Sequence, residues 1–452
     1  MNPTESDDLF GRTFVCECGK THRIEPHEVL YADDAAERVA AVSARQTAGR
    51  RATVLADVRT RAAAGARAEA SLAAAGWDVA PLVVPDPKPG FATAKPGYAR
   101  AEPGVSPVCD DRTKAWLAER LGPADLILAV GGGVVTDLGK WLAFERGVPL
   151  IAFATAASMN GYASANVAPT IAMVKTLVRA RPPAVVAAEP HVLAEAPYEL
   201  TAAGLGDILA RFTSSADWYL NHFLFGDYYC AKAVGLTARA DSEYLARPEA
   251  LRARRPEAIE GLFRALLASG AAMTMADSSA PASGGEHLLS HTLDMQAALR
   301  GEEHDLHGRQ VGLGTILAAE IYRRVMALES PRFADPPAAV DARYWAALTP
   351  AVADEYGKKV ERLREARTRL SAEWDRLRDA LRPMLRPPET IRDCLARAGA
   401  AHRAEHIGCT KDRLLAALQH AHEMRSRVTV LDLARLAGVM PGAAAEIVEQ
   451  WS

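Results

Sequence analysis

The chain has 452 residues, of which 49% are hydrophobic and 24% are charged, and its formal net charge at pH 7 is -3. Such a chain can bury a full apolar core, and its length suggests about two domains. Because the protein carries no overall positive field, nucleic acid and anionic membrane surfaces are poor candidate partners, and a small-molecule substrate is favoured.

Targeting signals are absent from the sequence. No apolar run reaches the ~20 residues of a transmembrane helix, and the first thirty residues lack the apolar core of a signal peptide. We therefore expect a cytoplasmic protein. Its cysteines are too few for a disulfide framework, and a cytosolic setting would keep them reduced. They are Cys16, Cys18, Cys109, Cys230, Cys394 and Cys409.

The first half of the chain alternates short apolar runs with Ala-rich helical stretches. Strands are predicted at 51–58, 77–85, 124–130 and 148–155, with helices between them. A loop rich in Pro and Gly is predicted at 86–108. This alternation predicts a Rossmann-like parallel sheet with crossover helices.

From about Gly204 onward the strand signals fade and one helical pattern follows another. Helices are predicted at 206–223, 228–246, 257–276, 284–299 and 311–329. We therefore predict an α/β fold with an α/β domain in residues 1–200 and an all-helical domain in residues 201–452.

A glycine-rich segment is the first chemical signal. Gly131, Gly132 and Gly133 follow a buried strand directly and precede a helix, where backbone amides and the helix dipole can bind a pyrophosphate. The segment matches neither GxxxxGK[ST] nor GxGxxG, so a P-loop is excluded and the usual dinucleotide fingerprint is missing. Taken alone, it is equally consistent with a tight strand-to-helix turn.

Small polar residues follow the next predicted strand, in ATAASMNGYAS. Thr155, Ser158, Asn160 and Ser164 would offer hydroxyls and an amide at the sheet edge where α/β proteins bind ligands. Residues of this kind also serve as helix caps, so the segment alone leaves both roles open.

The helical half contains a candidate metal site. His287 and His291 lie four residues apart on one helix face, and His307 begins the next predicted helix. Asp207, expected in the first turn of an apolar helix, is the candidate carboxylate. Three protein ligands with one open position would suit a catalytic ion. The alternatives are a helix cap for Asp207 and a surface pair for HxxxH.

The N-terminal CECGKTH segment offers Cys16, Cys18 and His22 as possible zinc ligands. Zinc sites of this type normally need a second cluster of matching spacing, and none lies nearby in the sequence. A pair of unreactive thiols in a terminal hairpin is therefore favoured.

Five segments in this order resemble the sn-glycerol-1-phosphate dehydrogenases, a family within the superfamily of iron-containing alcohol dehydrogenases, glycerol dehydrogenase and dehydroquinate synthase. They are GGGVVTDLGK, TAASMNGYAS, GLGDILAR, SGGEHLLSH and LHGRQVGLG. CECGKTHRI, LADVRT and RSRVTVLDLARLAG resemble its bacterial branch. The resemblance implies a metal-dependent oxidoreductase of phospholipid metabolism that uses NAD or NADP. It would interconvert dihydroxyacetone phosphate and sn-glycerol 1-phosphate, or a closely related polyol phosphate, as a homo-oligomer.

The resemblance also implies roles for individual residues. Asp207, His287 and His307 would bind the metal, which is zinc or alternatively nickel or iron. His291 would contact the substrate and relay a proton, and Asn160 and Asp207 would also lie at the substrate. The dinucleotide would lie along Asp57, Gly131, Gly132, Gly133, Val134, Val135, Thr155, Ala156, Ala157, Ser158 and Ser164.

One departure from the family pattern bears on the substrate. The family carries TAPSxDG, whereas this chain has Ala157 in place of the proline and Asn160 in place of the acid. An asparagine donates as well as accepts hydrogen bonds and carries no charge, so a changed substrate is expected to be possible. A cyclase of the dehydroquinate synthase type is disfavoured because GGEHLLSHTLDM contains no Lys or Arg. A non-catalytic binding protein is disfavoured because the four metal and substrate residues are intact.

Overall fold

The computed structural model describes residues 10–86, 107–238, 245–300, 302 and 304–452. Within these residues, the largest sheet has six parallel strands in the spatial order β3-β12-β7-β6-β4-β5. The strands are β3 (Glu28–Tyr31), β4 (Arg51–Ala56), β5 (Asp78–Val83), β6 (Leu126–Gly131), β7 (Leu150–Ala154) and β12 (Val185–Ala188).

Helices cover both faces of this sheet. Every residue of β6 and β7 is buried, as expected for parallel strands that are covered on two sides. Val54 and Leu55 are neighbours in β4 but belong to different apolar clusters, because successive side chains of a strand point to opposite faces. The helices of this region are α1 (Ala35–Gln46), α2 (Val58–Thr60), α3 (Ala66–Ala74), α4 (Asp111–Arg120) and α5 (Gly133–Arg146), with a π-helical turn at Arg61–Gly65 between α2 and α3.

Three short antiparallel pairs lie outside the large sheet. The N-terminal hairpin consists of β1 (Thr13–Val15) and β2 (Thr21–Arg23). After a 3-10 turn at Asn160–Ala163, β8 (Asn166–Val167) pairs with β11 (Val178–Arg179), and β9 (Thr170–Ile171) pairs with β10 (Val174–Lys175). In sequence, the strands β8 to β11 lie between β7 and β12.

The described residues from Pro190 onward are mainly helical and surround the largest apolar cluster among the described residues. Among these residues, no helix combines the length and apolarity needed to cross a membrane. The helices are α6 (Pro190–Glu195), α7 (Tyr198–Leu209), α8 (Arg211–Phe225), α9 (Ala231–Ala238), α10 (Pro248–Arg252), α11 (Pro256–Ala276), α12 (Gly285–Arg300), α13 (His307–Met326), α14 (Ala342–Trp345), α15 (Thr349–Leu381), α16 (Pro388–Ala398), α17 (Lys411–His420), α18 (Val430–Leu436) and α19 (Ala444–Trp451).

The predicted fold class is confirmed, and all four predicted strands are present. The sequence analysis missed β3 and β12, which are only four residues long and carry no strong alternation. Most of the predicted loop at 86–108 lies outside the described residues, as does part of the helix predicted at 228–246. The last strand of the large sheet ends at Ala188, and the domain boundary at residue 200 stays a prediction.

The single helix predicted at 206–223 is wrong. Two helices, α7 and α8, occupy this region, and Ala210 lies between them. Asp207 therefore lies in the last turn of α7 and not in the first turn of a helix. Residues 201 to 218 are all buried, so the apolar pattern runs through the junction and gives no sign of the break.

Candidate active site

A cleft of about 1870 Å³ runs between the carboxyl ends of the sheet strands and the helical part of the chain. Asp57 follows β4, Gly132 follows β6 and Thr155 follows β7, and all three line this cleft. His287 and His307 line it from the helical side. The segments singled out in the two halves of the sequence therefore meet at one cavity.

The glycine-rich segment combines a tight turn with an open approach to the cleft. A Cβ atom at Gly131 would lie 2.6 Å from Cβ of Val135, so this position has no room for a side chain. A Cβ atom at Gly132 would meet only Ser158 Oγ, at 3.8 Å. Gly131 therefore makes the tight turn, and Gly132 leaves space beside the N-terminus of α5, while the phosphate-binding role of the segment stays a prediction.

The Asp57 side chain caps α2 by accepting hydrogen bonds from the N–H groups of Arg59 and Thr60, at 2.7 and 3.0 Å.

The eleven residues predicted to line the dinucleotide fall into two groups, those that line the cleft and those that do not. Eight of the eleven residues line the cleft, namely Asp57, Gly132, Gly133, Val134, Val135, Thr155, Ser158 and Ser164. The remaining three, Gly131, Ala156 and Ala157, are buried behind its wall.

Asp207, His287 and His307 come together from three helices, α7, α12 and α13. One possible ligand atom from each lies within 4.8 Å of the others. Nε2 of His287 is 3.5 Å from Oδ1 of Asp207, and the two imidazole rings are 5.0 Å apart between centroids. This spacing suits a metal ion bound between them.

Surrounding hydrogen bonds orient the two imidazole rings. Nδ1 of His287 donates to Glu286 Oε1 at 2.9 Å, and Nδ1 of His307 donates to Ser290 Oγ at 3.0 Å. Ser290 Oγ can accept because its own proton goes to the Gln310 side-chain oxygen. Each ring thus keeps its Nε2 lone pair for a ligand, as in the usual carboxylate-histidine-metal arrangement.

The two carboxylate oxygens of Asp207 differ in their hydrogen bonding, and the difference favours a bound cation. Oδ2 of Asp207 accepts a 2.8 Å hydrogen bond from the N–H of Asn160, but its buried Oδ1 has no hydrogen-bond partner among the described residues. Burying a carboxylate oxygen without a partner is costly, and a metal ion at this position would remove that cost.

The electrostatics of the imidazoles support the same interpretation. Burial lowers the pKa of His287, but the carboxylates of Asp207 and Glu286 beside the ring outweigh burial and raise the pKa to about 9. Burial and the positive charge of His287 lower the pKa of His307 to about 4. The site therefore favours one positive charge beside Asp207, at the position of His287, and disfavours protonation of His307 as well.

His291 stands apart from this cluster, although it lies one turn after His287 on α12. Its ring stacks on His307 with 5.3 Å between centroids, and its Nδ1 has no hydrogen-bond partner among the described residues. Burial, followed by electrostatic repulsion from His307 and Arg425, holds the pKa of His291 well below its usual value. His291 is therefore a neutral imidazole that faces the cleft.

Comparisons with known proteins identify the family of this chain. The family described as iron-containing alcohol dehydrogenase matches residues 31–197. A glycerol-1-phosphate dehydrogenase [NAD(P)+] of Bacillus licheniformis is 29% identical over 429 residues, which cover 95% of this chain and 94% of that protein. The enzyme of the same name from Bacillus velezensis is 30% identical over 381 residues, which cover 84% of each chain. The chain belongs to the glycerol-1-phosphate dehydrogenase family.

Solved structures related to this family share the fold. Glycerol dehydrogenase from Schizosaccharomyces pombe has a TM-score of 0.59 and 16% identity, with 93% of this chain and 90% of that chain covered. A 1,3-propanediol oxidoreductase has a TM-score of 0.58 and 16% identity, with 95% and 100% covered. These likenesses agree with the parallel sheet followed by helices.

Two features of this family member were missed in the sequence analysis. The first is a set of basic residues: Arg425 Nη2 donates to the carbonyl oxygen of Lys175 at 2.8 Å, and both residues line the cleft. Neither cation has a carboxylate within ion-pair distance among the described residues. Arg427 is held instead by Ser278 and Ser279 Oγ at 3.2 and 3.1 Å. The RSR segment contains Arg425 and Arg427, but in the sequence it indicated only the resemblance to the family.

The second missed feature is the close packing of α7 against α13. A Cβ atom at Gly206 would lie 2.0 Å from the carbonyl oxygen of Gly308, and one at Gly308 would lie 2.0 Å from that of Ala203. Each glycine is a sequence neighbour of a cluster residue, Asp207 or His307. Only glycine at both positions lets the two backbones approach closely enough to bring those side chains together.

Proposed function

We propose that this chain is a metal-dependent, NAD(P)-dependent dehydrogenase that interconverts dihydroxyacetone phosphate and sn-glycerol 1-phosphate, or a closely related polyol phosphate. The observation that carries the proposal is the cluster of Asp207, His287 and His307, which opens into the same cleft as the glycine turn. The Bacillus relatives named glycerol-1-phosphate dehydrogenase support the same conclusion. We also propose a cytoplasmic homo-oligomer.

In this proposal Asp207, His287 and His307 bind the ion through Oδ1 and the two Nε2 atoms. Zinc suits this set of two imidazoles and one carboxylate with a position left open, and nickel or iron can use the same donors. Glu286, Ser290 and the backbone of Asn160 keep the three donors in place. Such supporting partners commonly set metal affinity.

The dinucleotide is proposed to lie along the carboxyl ends of β4, β6 and β7. Its pyrophosphate fits beside Gly132, where the free N–H groups at the start of α5 and the helix dipole favour an anion. Asp57 would contact the adenosine ribose, and Thr155, Ser158 and Ser164, which line the same cleft, would lie along the dinucleotide, with Ser164 near the nicotinamide. Gly131, Ala156 and Ala157 would support this surface from behind, without direct contact.

The chemical roles follow from these positions. When bound, the dinucleotide would supply the hydride, and a metal ion held by Asp207, His287 and His307 would stabilise the negative charge that develops on the substrate oxygen. His291 is neutral and faces the cleft, so it can exchange a proton with the substrate hydroxyl. Asn160 lies in the cleft wall beside Asp207 and would contact the substrate through its amide.

A phosphorylated substrate is favoured by the charges beside His291. We propose that Arg425 and Lys175 bind the phosphate, since both line the cleft and the charge of Arg425 acts on His291. The hydrogen bond between them uses the backbone carbonyl of Lys175 and not its ammonium group, so both positive charges remain available for an anion. No observation favours the cyclase or the binding-protein alternative over a dehydrogenase.

The test is a substrate panel with protein loaded with zinc, nickel or iron, following oxidation of NADH and NADPH. We expect reduction of dihydroxyacetone phosphate or a related keto polyol phosphate, with much lower activity on unphosphorylated dihydroxyacetone. Absence of nucleotide oxidation with every phosphorylated ketone, in protein shown to contain the metal, would refute the proposed function.

A further inference from the structure

The N-terminal hairpin meets a cysteine from the distant helical part of the chain. Cys16, Cys18 and His22 belong to the hairpin, and Cys230 lies 208 residues beyond His22, just before α9. One possible ligand atom from each of the four lies within 4.8 Å of the others. Cys16, Cys18 and His22 are close in sequence and were predicted as possible zinc ligands, whereas no local pattern in the sequence indicates Cys230.

The distances within this cluster match a tetrahedral zinc site. With Zn–S bonds of about 2.3 Å and Zn–N bonds of about 2.0 Å, sulfurs lie about 3.8 Å apart and sulfur–nitrogen pairs about 3.5 Å apart. Here Sγ of Cys16 and Sγ of Cys230 are 3.8 Å apart. Nε2 of His22 is 3.7 Å from Sγ of Cys230 and 3.1 Å from Sγ of Cys18.

The backbone of the hairpin directs the two sulfurs of CECG to the same side. The N–H of Cys16 donates to the carbonyl oxygen of Lys20 at 2.9 Å, and the N–H of Gly19 donates to that of Cys16 at 3.0 Å. Gly19 has a φ of +84°, a conformation that glycine adopts most easily. This tight turn brings the side chains of Cys16 and Cys18, which are separated by one residue in sequence, close to each other in space.

The N-terminal hairpin is short, and its stability depends on contacts with the rest of the fold. Its two strands have three residues each and, among the described residues, pair with one another and with no other strand. Two-stranded hairpins are marginally stable by themselves, so contacts such as those of Cys16 with the helical part of the chain contribute to holding this one in place. Cys16, His22 and Cys230 are buried, so the cluster is largely shielded from water. The donor set contains three sulfurs, which favours zinc over the harder metals.

We propose that Cys16, Cys18, His22 and Cys230 bind a structural zinc ion that fastens the N-terminal hairpin to the helical part of the chain. All four tetrahedral positions are filled by protein atoms, which distinguishes this site from the cluster at Asp207 with its open position. The proposal does not depend on the proposed function, because it concerns residues outside the catalytic cluster.

This zinc site would also brace one wall of the cleft. Tyr228 contacts Sγ of Cys18 through its hydroxyl at 3.1 Å, and its carbonyl oxygen accepts a 2.7 Å hydrogen bond from Trp218 Nε1. Both aromatic residues line the cleft. Loss of the ion is therefore expected to loosen this wall as well as the hairpin.

Metal analysis of the full chain tests the proposal. Wild-type protein should contain two metal equivalents per chain, and Cys230→Ser or His22→Ala should lose one of them. Cys409→Ser is the matched control, because Cys409 is also buried but lies outside the cluster, and it should keep both. Cys230→Ser and His22→Ala proteins with the same metal content as the wild type would overturn the proposal.

A second measurement does not require the cysteine variants to fold. The Asp207→Asn, His287→Ala double variant should retain one zinc, and its X-ray absorption should show three sulfur neighbours and one nitrogen. Coordination by nitrogen and oxygen alone would contradict the assignment. So would a disulfide between Cys16 and Cys230, detected by mass spectrometry of alkylated protein without prior reduction.

Discussion

The backbone N–H of Asn160 donates a 2.8 Å hydrogen bond to Oδ2 of Asp207. The residue at which this chain departs from its family pattern is thus in contact with the proposed metal carboxylate. Because the donor is the backbone amide, a new side chain at position 160 can alter the substrate contact while leaving that hydrogen bond in place.

Replacing Asn160 with aspartate is therefore expected to change specificity and not metal binding. Wild-type enzyme should reduce dihydroxyacetone phosphate poorly compared with its true substrate, and Asn160→Asp should raise kcat/KM for dihydroxyacetone phosphate roughly tenfold or more, since discriminating polar contacts have large effects. Steady-state kinetics on metal-quantified protein provides the measurement. Efficient wild-type reduction that Asn160→Asp barely alters would show that Asn160 is a neutral replacement.

The proposed ligands make a prediction about metal content. Asp207→Ala, His287→Ala and His307→Ala should each remain folded but lose the ion of this site and nearly all activity, because two donors bind a divalent ion poorly. His304→Ala is the control, since His304 also lines the cleft but lies outside the cluster. A His287→Ala protein that keeps its full metal content would disprove the assignment.

His291 should behave differently from its neighbour His287. As a neutral residue that exchanges a proton with substrate, His291→Ala should retain the metal while turnover falls by roughly 10² to 10⁴, the usual size of lost acid/base catalysis. Metal analysis and single-turnover kinetics on the same preparation separate the two effects. If His291→Ala loses the ion instead, the division of roles within HxxxH is wrong.

Gly132→Val tests the position of the dinucleotide. The φ of Gly132 is -82°, and its Cβ direction is open apart from Ser158 Oγ, so the variant should fold normally. The valine side chain would occupy the space proposed for the pyrophosphate and abolish binding. Titration calorimetry with NAD and NADP measures this, with Gly122→Val as the control, because a Cβ atom at Gly122 has no described heavy atom within 4 Å. Unchanged affinity would place the dinucleotide elsewhere.

Arg425→Gln tests phosphate recognition. A hydrogen bond to a charged group contributes about 1.5–3 kcal/mol, so KM for the phosphorylated substrate should rise roughly 10- to 100-fold. Activity on the unphosphorylated analogue, although low, should change little. An equal loss with both substrates would mean that Arg425 supports the structure of the site and does not bind phosphate.

Some properties of this protein follow from the sequence alone. Apolar runs that alternate with helical stretches identified the parallel sheet, because local periodicity records which face of each element is buried. The order of the motifs around Gly132, Asp207 and His287 identified the family. The spacing of HxxxH placed His287 and His291 on one face of a helix, now α12.

Other properties were decided only by the tertiary structure. Local patterns do not record which buried faces meet, so the sequence could not pair Cys230 with Cys16 across 214 residues. It could not place Arg425 beside Lys175, nor show that Gly206 and Gly308 let α7 and α13 approach. Such contacts depend on how helices pack in three dimensions, and that packing brings His287, and not His291, into the cluster with Asp207.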